Sequence, residues 1–271
     1  MLKVYSYEFA CACLDAGITY GFFWSSVPED DIVKLVDKYG GDKLFLTFTL
    51  HYDKPSANLQ LLKRICNLGV KNFEFTEDHD NDRKTIDDTN LLKKTVSFFG
   101  LQGCEIFSKR SLNLANYVDG LVVKGKEAAA RGTQNDLLTE FSSVKKTYPN
   151  KKIIASGGIY TGTQVKQYLD LGAHAVSIGT LFAASTESPI SDTAKQAILS
   201  ANKKNLKRFS NSQQSLVFTR LNADEENHTQ SLALGIETGT QGHLFLGHAV
   251  DHITEIKPVA EIVAELSSHL V

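Results

Sequence analysis

The sequence predicts an α/β protein, a TIM-type (β/α)8 barrel with its first strand missing or replaced. Apolar runs of strand length alternate with stretches of helical period, joined by short connections without linker composition. Strands framed by helices imply parallel pairing. Late in that alternation, Lys152–Ala184 carries two glycine-rich strand ends one βα unit apart, where such barrels build a phosphate site after strands seven and eight.

The chain opens on a predicted helix, Tyr5–Ala16, stopped at Gly17. A strand, Ile18–Trp24, follows, and Ser26 with Glu29 reads as a capping box for the helix Val27–Tyr39. Lys43–Leu50, with alternating β-branched and aromatic residues, is the next strand, and Ala57–Leu68 is a helix ended by Gly69. Asn72–Thr76, Gly103–Phe107 and Gly120–Val123 are further strands, separated by helices near Thr89–Phe98 and Leu112–Tyr117. The helix Gln134–Thr147 leads into the strand Lys152–Ser156, which ends in Gly157-Gly158. Thr161–Leu171 places Val165, Tyr168 and Leu169 at helical spacing, and Ala173–Ile178 is a strand ending in Gly179-Thr180.

Beyond that point Ser191–Asn205 reads as helical, and Arg208–Thr240 has the mixed polar composition of an excursion near the barrel mouth. Ile256–Leu270 is an amphipathic closing helix with Pro258 near its start and Val259, Ile262, Val263 and Leu266 on one stripe. The expected organisation is a barrel over 1–205, a cap over 206–250 and the closing helix over 251–271. Only seven strands are counted, and a helix stands where the first of eight belongs.

Glycine directly after a strand lets backbone N–H groups approach an anion with no Cβ in the way. Ser156, Gly157, Gly158, Gly179 and Thr180 are therefore candidate phosphate ligands. The plainer reading is that these glycines only make tight turns.

The 271 residues suffice for one large barrel, and the net charge of −2 with interspersed signs favours neither nucleic acid nor an anionic membrane. The apolar runs are too short to span a bilayer, and no hydrophobic segment of a secretory signal follows Met1-Leu2-Lys3. Cys11, Cys13, Cys66 and Cys104 lack metal-ligand spacing and read as reduced packing residues. No metal is expected, and the location expected is cytoplasmic.

The phosphate segment, together with Gly120–Thr133 (GLVVKGKEAAARGT) and the closing helix, resembles the nitronate monooxygenase family and the related FMN-dependent enoyl reductases. Inosine-monophosphate dehydrogenases have a similar phosphate half but carry a cysteine loop after strand six, and nothing like it follows Val123. The resemblance runs over the whole chain. It implies FMN, with Gly157, Gly158, Gly179 and Thr180 around its phosphate, and a small-molecule substrate. It also exposes four departures. The first strand ending in Ala-Pro-Met has no counterpart, and the flavin-orienting asparagine falls on Thr49. The loop Glu-Ala-Gly-Gly-His becomes Glu127-Ala128-Ala129-Ala130-Arg131-Gly132, without histidine, and Gly-Gln-Gly becomes Gly247-His248-Ala249.

Lys124 stands where the family places an amide near the flavin; it could stabilise reduced flavin, or simply snorkel at the barrel mouth. Arg131 stays charged, so it cannot shuttle protons but could clamp a substrate anion. Glu127 could serve as a base if buried, or assist the next helix through its dipole. His51, after the third strand at the catalytic face, is the first substitute for the lost histidine. His79 sits in an acidic stretch that reads as solvated; His248 could contact phosphate, and His243 and His252 read as surface. Two functions follow: an FMN oxidoreductase with an altered substrate, or a catalytically weakened homologue acting as a phosphate- or nucleotide-binding or partner subunit. An incomplete barrel leaves strand edges that a homo- or hetero-oligomer could cover.

Overall fold

A computed structural model describes residues 6–18, 20–23, 27–50, 55–77, 103–109, 115–128, 130–211, 216–221 and 244–270. The chain forms two compact units, one of Gly17–Val122 with Asn150–Lys152, the other of Met1–Ala16, Val123–Pro149 and Ile153–Val271. The first described element, α1 (Tyr7–Asp15), belongs to the second of these. Its N-cap Ser6 accepts a hydrogen bond from the Phe9 amide at 3.0 Å.

The unit beginning at Gly17 is parallel α/β. It contains β1 (Tyr20–Phe23), α2 (Glu29–Tyr39), β2 (Leu44–Leu50), α3 (Pro55–Asn67), β3 (Asn72–Glu77), β4 (Glu105–Lys109) and the start of β5 (Gly120–Lys124). These strands pair in chain order, every described pair parallel. Leu44, Leu46 and Thr47 of β2 are all fully buried, as expected of a parallel strand covered on both faces. Ile32 and Leu35 of α2 and Leu62 and Ile65 of α3 supply further buried side chains. Gly120 must be glycine here, because a Cβ would meet the Phe107 ring at 2.3 Å. The predicted Ser26 capping box is not what opens α2: Pro28 is its N-cap, without a side-chain bond, and Glu29, Asp30 and Asp31 place negative charge on the first turn.

The other unit takes up the end of β5 (Val123 and Lys124). It continues through β6 (Ala130–Gly132), α4 (Leu137–Thr147), β7 (Lys152–Ser156, from Ile153 on), α5 (Gly162–Asp170) and β8 (Ala175–Ser177). It then runs through α6 (Thr180–Ala183), α7 (Asp192–Ser200), β9 (Leu206–Asn211), β10 (Leu216–Leu221) and α8 (Val259–Ser267). β7 and β8 are parallel, with Ser156 paired to Ser177. Val259, Ile262 and Leu266 of α8 are buried, the stripe read from the sequence. Ile190, Ala194, Ile198, Leu244, Leu246 and Val250 form a second buried cluster.

Three local expectations change. The stretch 127–132 is not only loop: Ala130–Gly132 is a strand, paired antiparallel with β10, which pairs with β9 in turn. The excursion after residue 205 therefore carries two strands. Helix α4 starts at Leu137 with Asp136 as its N-cap, so Glu127 does not open it. Asp136 accepts from both the Thr139 amide and hydroxyl at 2.9 Å, which holds its carboxyl below the usual range.

Candidate functional site

The ends of β5, β7 and β8 line one small cavity of ≈ 30 Å³ within the second unit. Lys124 comes from β5, Ser156-Gly157-Gly158 from the end of β7, and Ser177-Ile178-Gly179-Thr180 from the end of β8. Lys124, Ser156 and Thr180 are buried, at 8%, 9% and 8% exposure. The five residues expected around a phosphate and Lys124, expected beside the flavin, thus border a single space.

Their backbone is held open by local packing. Gly157 and Gly158 have φ of +102° and +74°, a region glycine enters without a Cβ penalty. A Cβ on Gly157 would also strike Ala128, 2.5 Å from its Cβ and 2.8 Å from its nitrogen. Gln164 fixes the outgoing turn. Its amide nitrogen donates to the Gly158 carbonyl at 3.1 Å, and its oxygen accepts from the Tyr160 and Thr161 amides at 2.9 and 3.1 Å. Thr161 and Gln164 form a capping box at the start of α5.

What this leaves unmade decides the chemistry. The amides of Gly157, Gly158, Ile159, Ile178 and Gly179 have no acceptor among the described residues. Neither do the hydroxyls of Ser156 and Ser177 have a partner among them. Ser156 and Ile159 are buried and the other donors half-buried, and such a set at the ends of two neighbouring strands suits an acceptor-rich guest such as a phosphate. Thr180 differs: its hydroxyl accepts from the buried Gly247 amide at 3.0 Å, tying α6 to the segment Gly247-His248-Ala249.

Two further residues were not expected in their observed roles. Glu127 lies against Gly158, its Oε2 2.6 Å from where a Gly158 Cβ would stand. Its other carboxylate oxygen is 3.4 Å from Nδ1 of His248, so His248 pairs with Glu127. His252 is exposed, as expected from the sequence, and its ring stacks on Tyr160 at 3.9 Å between centroids. That stack borders a larger cavity of ≈ 260 Å³, which shares none of the unbonded amides. Cys66 and Cys104 meet at 3.5 Å between sulfurs, a contact that spacing alone could not reveal. His51, His79, His243 and the side chains of Thr49 and Arg131 lie outside the described residues; the backbone of Arg131 is in β6. Among the described residues no cluster could hold a metal ion, and no helix is long and apolar enough to cross a membrane.

The profile of the family described as nitronate monooxygenase matches residues 108–269, more than half of the chain. The chain belongs to the nitronate monooxygenase family. That family is one of flavin-dependent oxidoreductases, related to FMN-dependent enoyl-ACP reductases. Among solved structures, FabK from Thermotoga maritima aligns with a TM-score of 0.78 at 20% identity, over 99% of this chain and 90% of that one. Nitroalkane oxidase from Streptomyces ansochromogenes aligns with a TM-score of 0.70 at 15% identity, over 99% and 94%. The enoyl reductase domain of MlnA from Bacillus amyloliquefaciens aligns at 0.54 and 12% identity, over 79% and 61%. At these identities the likeness is one of fold, a parallel α/β architecture shared with the barrels of this family. No curated protein matches the chain.

Proposed function

We propose that the chain is an FMN-binding oxidoreductase of the nitronate monooxygenase type with an altered substrate. The observation that carries this reading is the set of unbonded amides and serine hydroxyls around one cavity at the ends of β7 and β8. Gly157, Gly158, Gly179 and Thr180 would hold the phosphate through backbone N–H groups, and Ser156 and Ser177 through hydroxyls. Lys124, buried on the β5 side of the same cavity, would set positive charge beside the cofactor. Bound FMN supplies the capacity to accept electrons from a carbanion-like substrate and pass them to oxygen.

The residues nearest the cavity offer no imidazole in the place of the family histidine, since 127–132 reads Glu-Ala-Ala-Ala-Arg-Gly. His51, Arg131 and Lys124 are the candidates to act on substrate, and of these Arg131 binds and orients rather than moving protons. An anionic nitronate needs no base and so suits this site better than a neutral nitroalkane. We read the fold as a TIM-type barrel whose first strand is replaced. Helix α1 precedes β1, and among the described residues of its own unit β1 pairs with β2 alone. A second copy or another chain could cover such an edge.

The visible absorption spectrum of the purified chain, before and after adding FMN, is the first test, and bound flavin is expected. Gly179→Val should remove FMN while leaving the far-ultraviolet helical signal unchanged; unaltered binding would put the site elsewhere. Oxygen uptake with propane-2-nitronate should exceed that with 2-nitropropane. A missing general base is worth about 10²–10⁴-fold. Equal, fast turnover of both would mean that another base, His51 first, has taken the role.

A further inference from the structure

We infer that Glu127 sets how tightly this cavity holds a phosphate, acting as a built-in competing carboxylate that His248 draws aside. The inference rests on the phosphate reading given above. Glu127 and Lys124 are the charged side chains bordering the cavity, one of each sign. Lys124 is buried, whereas Glu127 is half-exposed, with 36% of its side chain accessible. The Glu127 carboxylate touches the Gly158 face of the cup, where Oε2 takes the room a Gly158 side chain would need. A phosphate drawn in by the Gly158 amide would therefore meet a like charge at close range, and like charges there oppose binding.

His248 supplies the counterweight. Its Nδ1 is 3.4 Å from Oε1 of Glu127, while Oε2 is the carboxylate oxygen nearest a Gly158 side chain's place. Gly247 on one side of it is anchored by the Thr180 hydroxyl, and Ala249 on the other is buried. These anchors hold the backbone that carries the imidazole beside the carboxylate. When protonated, the imidazole offsets the Glu127 charge and holds that side chain toward itself.

The test measures dissociation constants for FMN, riboflavin and inorganic phosphate with the full chain, by flavin fluorescence and calorimetry, at one pH and ionic strength. Wild type, Glu127→Gln, His248→Gln and the double variant are compared, with thermal melting to confirm that each is folded. Glu127→Gln removes the charge without changing the shape, and FMN and phosphate should bind about 10-fold tighter, the size of one nearby screened charge. Riboflavin, which lacks the phosphate, should be unaffected. His248→Gln should weaken FMN and phosphate in the wild-type background, and should do little once residue 127 is glutamine. Unchanged or weaker binding by Glu127→Gln, or an equal His248→Gln effect in both backgrounds, would overturn the inference while leaving the phosphate site intact. If neither FMN nor phosphate binds wild type or any variant, the phosphate reading falls and this inference with it.

Discussion

At the scale of single residues, the two glycines after β7 do different work although they are adjacent. Gly157 is held by both φ and contact: a Cβ would be pressed onto Ala128 backbone atoms that cannot move cheaply. Gly157→Ala should therefore cost about 2 kcal/mol or more, the sum of left-handed strain and a core clash. A Cβ on Gly158 meets first the side chain of Glu127, whose carboxylate end can swing away. Gly158→Ala should cost about 1–2 kcal/mol, mostly backbone strain, and less in a Glu127→Ala background that clears the contact. Urea unfolding of the three variants checks the order, and equal losses for Gly157→Ala and Gly158→Ala would contradict it. Thr180→Val belongs to the same scale. It removes the acceptor of the buried Gly247 amide and should cost about 1–3 kcal/mol, the desolvation of an orphaned donor.

At the scale of elements, α5 is the support of the candidate site. Gln164 is at once the third residue of its capping box and the clamp on the turn from Gly158 to Thr161. Thr161→Ala should destabilise by about 1 kcal/mol, the usual worth of an N-cap. Gln164→Ala releases the Gly158 carbonyl and the Tyr160 amide as well, so it should both destabilise further and weaken FMN binding. A Gln164→Ala variant that binds FMN as wild type does would show that the turn keeps its shape without this side chain. Much of this element was legible in advance, since Val165, Tyr168 and Leu169 stand at helical spacing and Gly172 marks its end; the capping box of Thr161 and Gln164 was added by the structure. β6 was not. Three residues, Ala130–Gly132, pair with β10 about ninety positions later, and no local pattern encodes a partner that distant.

At the scale of the whole molecule, buried thiols tie stability to alkaline pH. Burial, aided by the negative charge of Glu187, pushes the Cys13 thiol from 9.0 up to about 12. Cys66 is also pushed up, by burial and by its contact with Cys104. Each compact unit holds one of these thiols. Because the folded state keeps them protonated while the unfolded chain ionises, their stabilising effect is complete below pH 9.0 and is lost as pH rises toward 12. For Cys13, the more deeply buried of the two, stability should fall across that window by about 1.4 kcal/mol per pH unit. Cys13→Ala should flatten the dependence, which denaturant titrations at several pH values would show; an unchanged slope would refute the assignment.

The sequence by itself determined the alternation of strand and helix, the parallel pairing, the closing helix and the glycine-marked ends of β7 and β8. These rest on short-range rules: the period of apolar residues, caps, and the freedom of glycine. Only the tertiary structure decided that Ser177 borders the same cavity as Lys124 and Ser156, that Glu127 leans on Gly158, and that His248 pairs with Glu127. It also brought Cys66 to Cys104 and His252 onto Tyr160. Residues 127 and 248 lie on separate segments, and their meeting depends on how β5, β7 and β8 stack and on the Thr180 bond that anchors Gly247. Such contacts are fixed by packing over the whole unit, and spacing along the chain carries no trace of them.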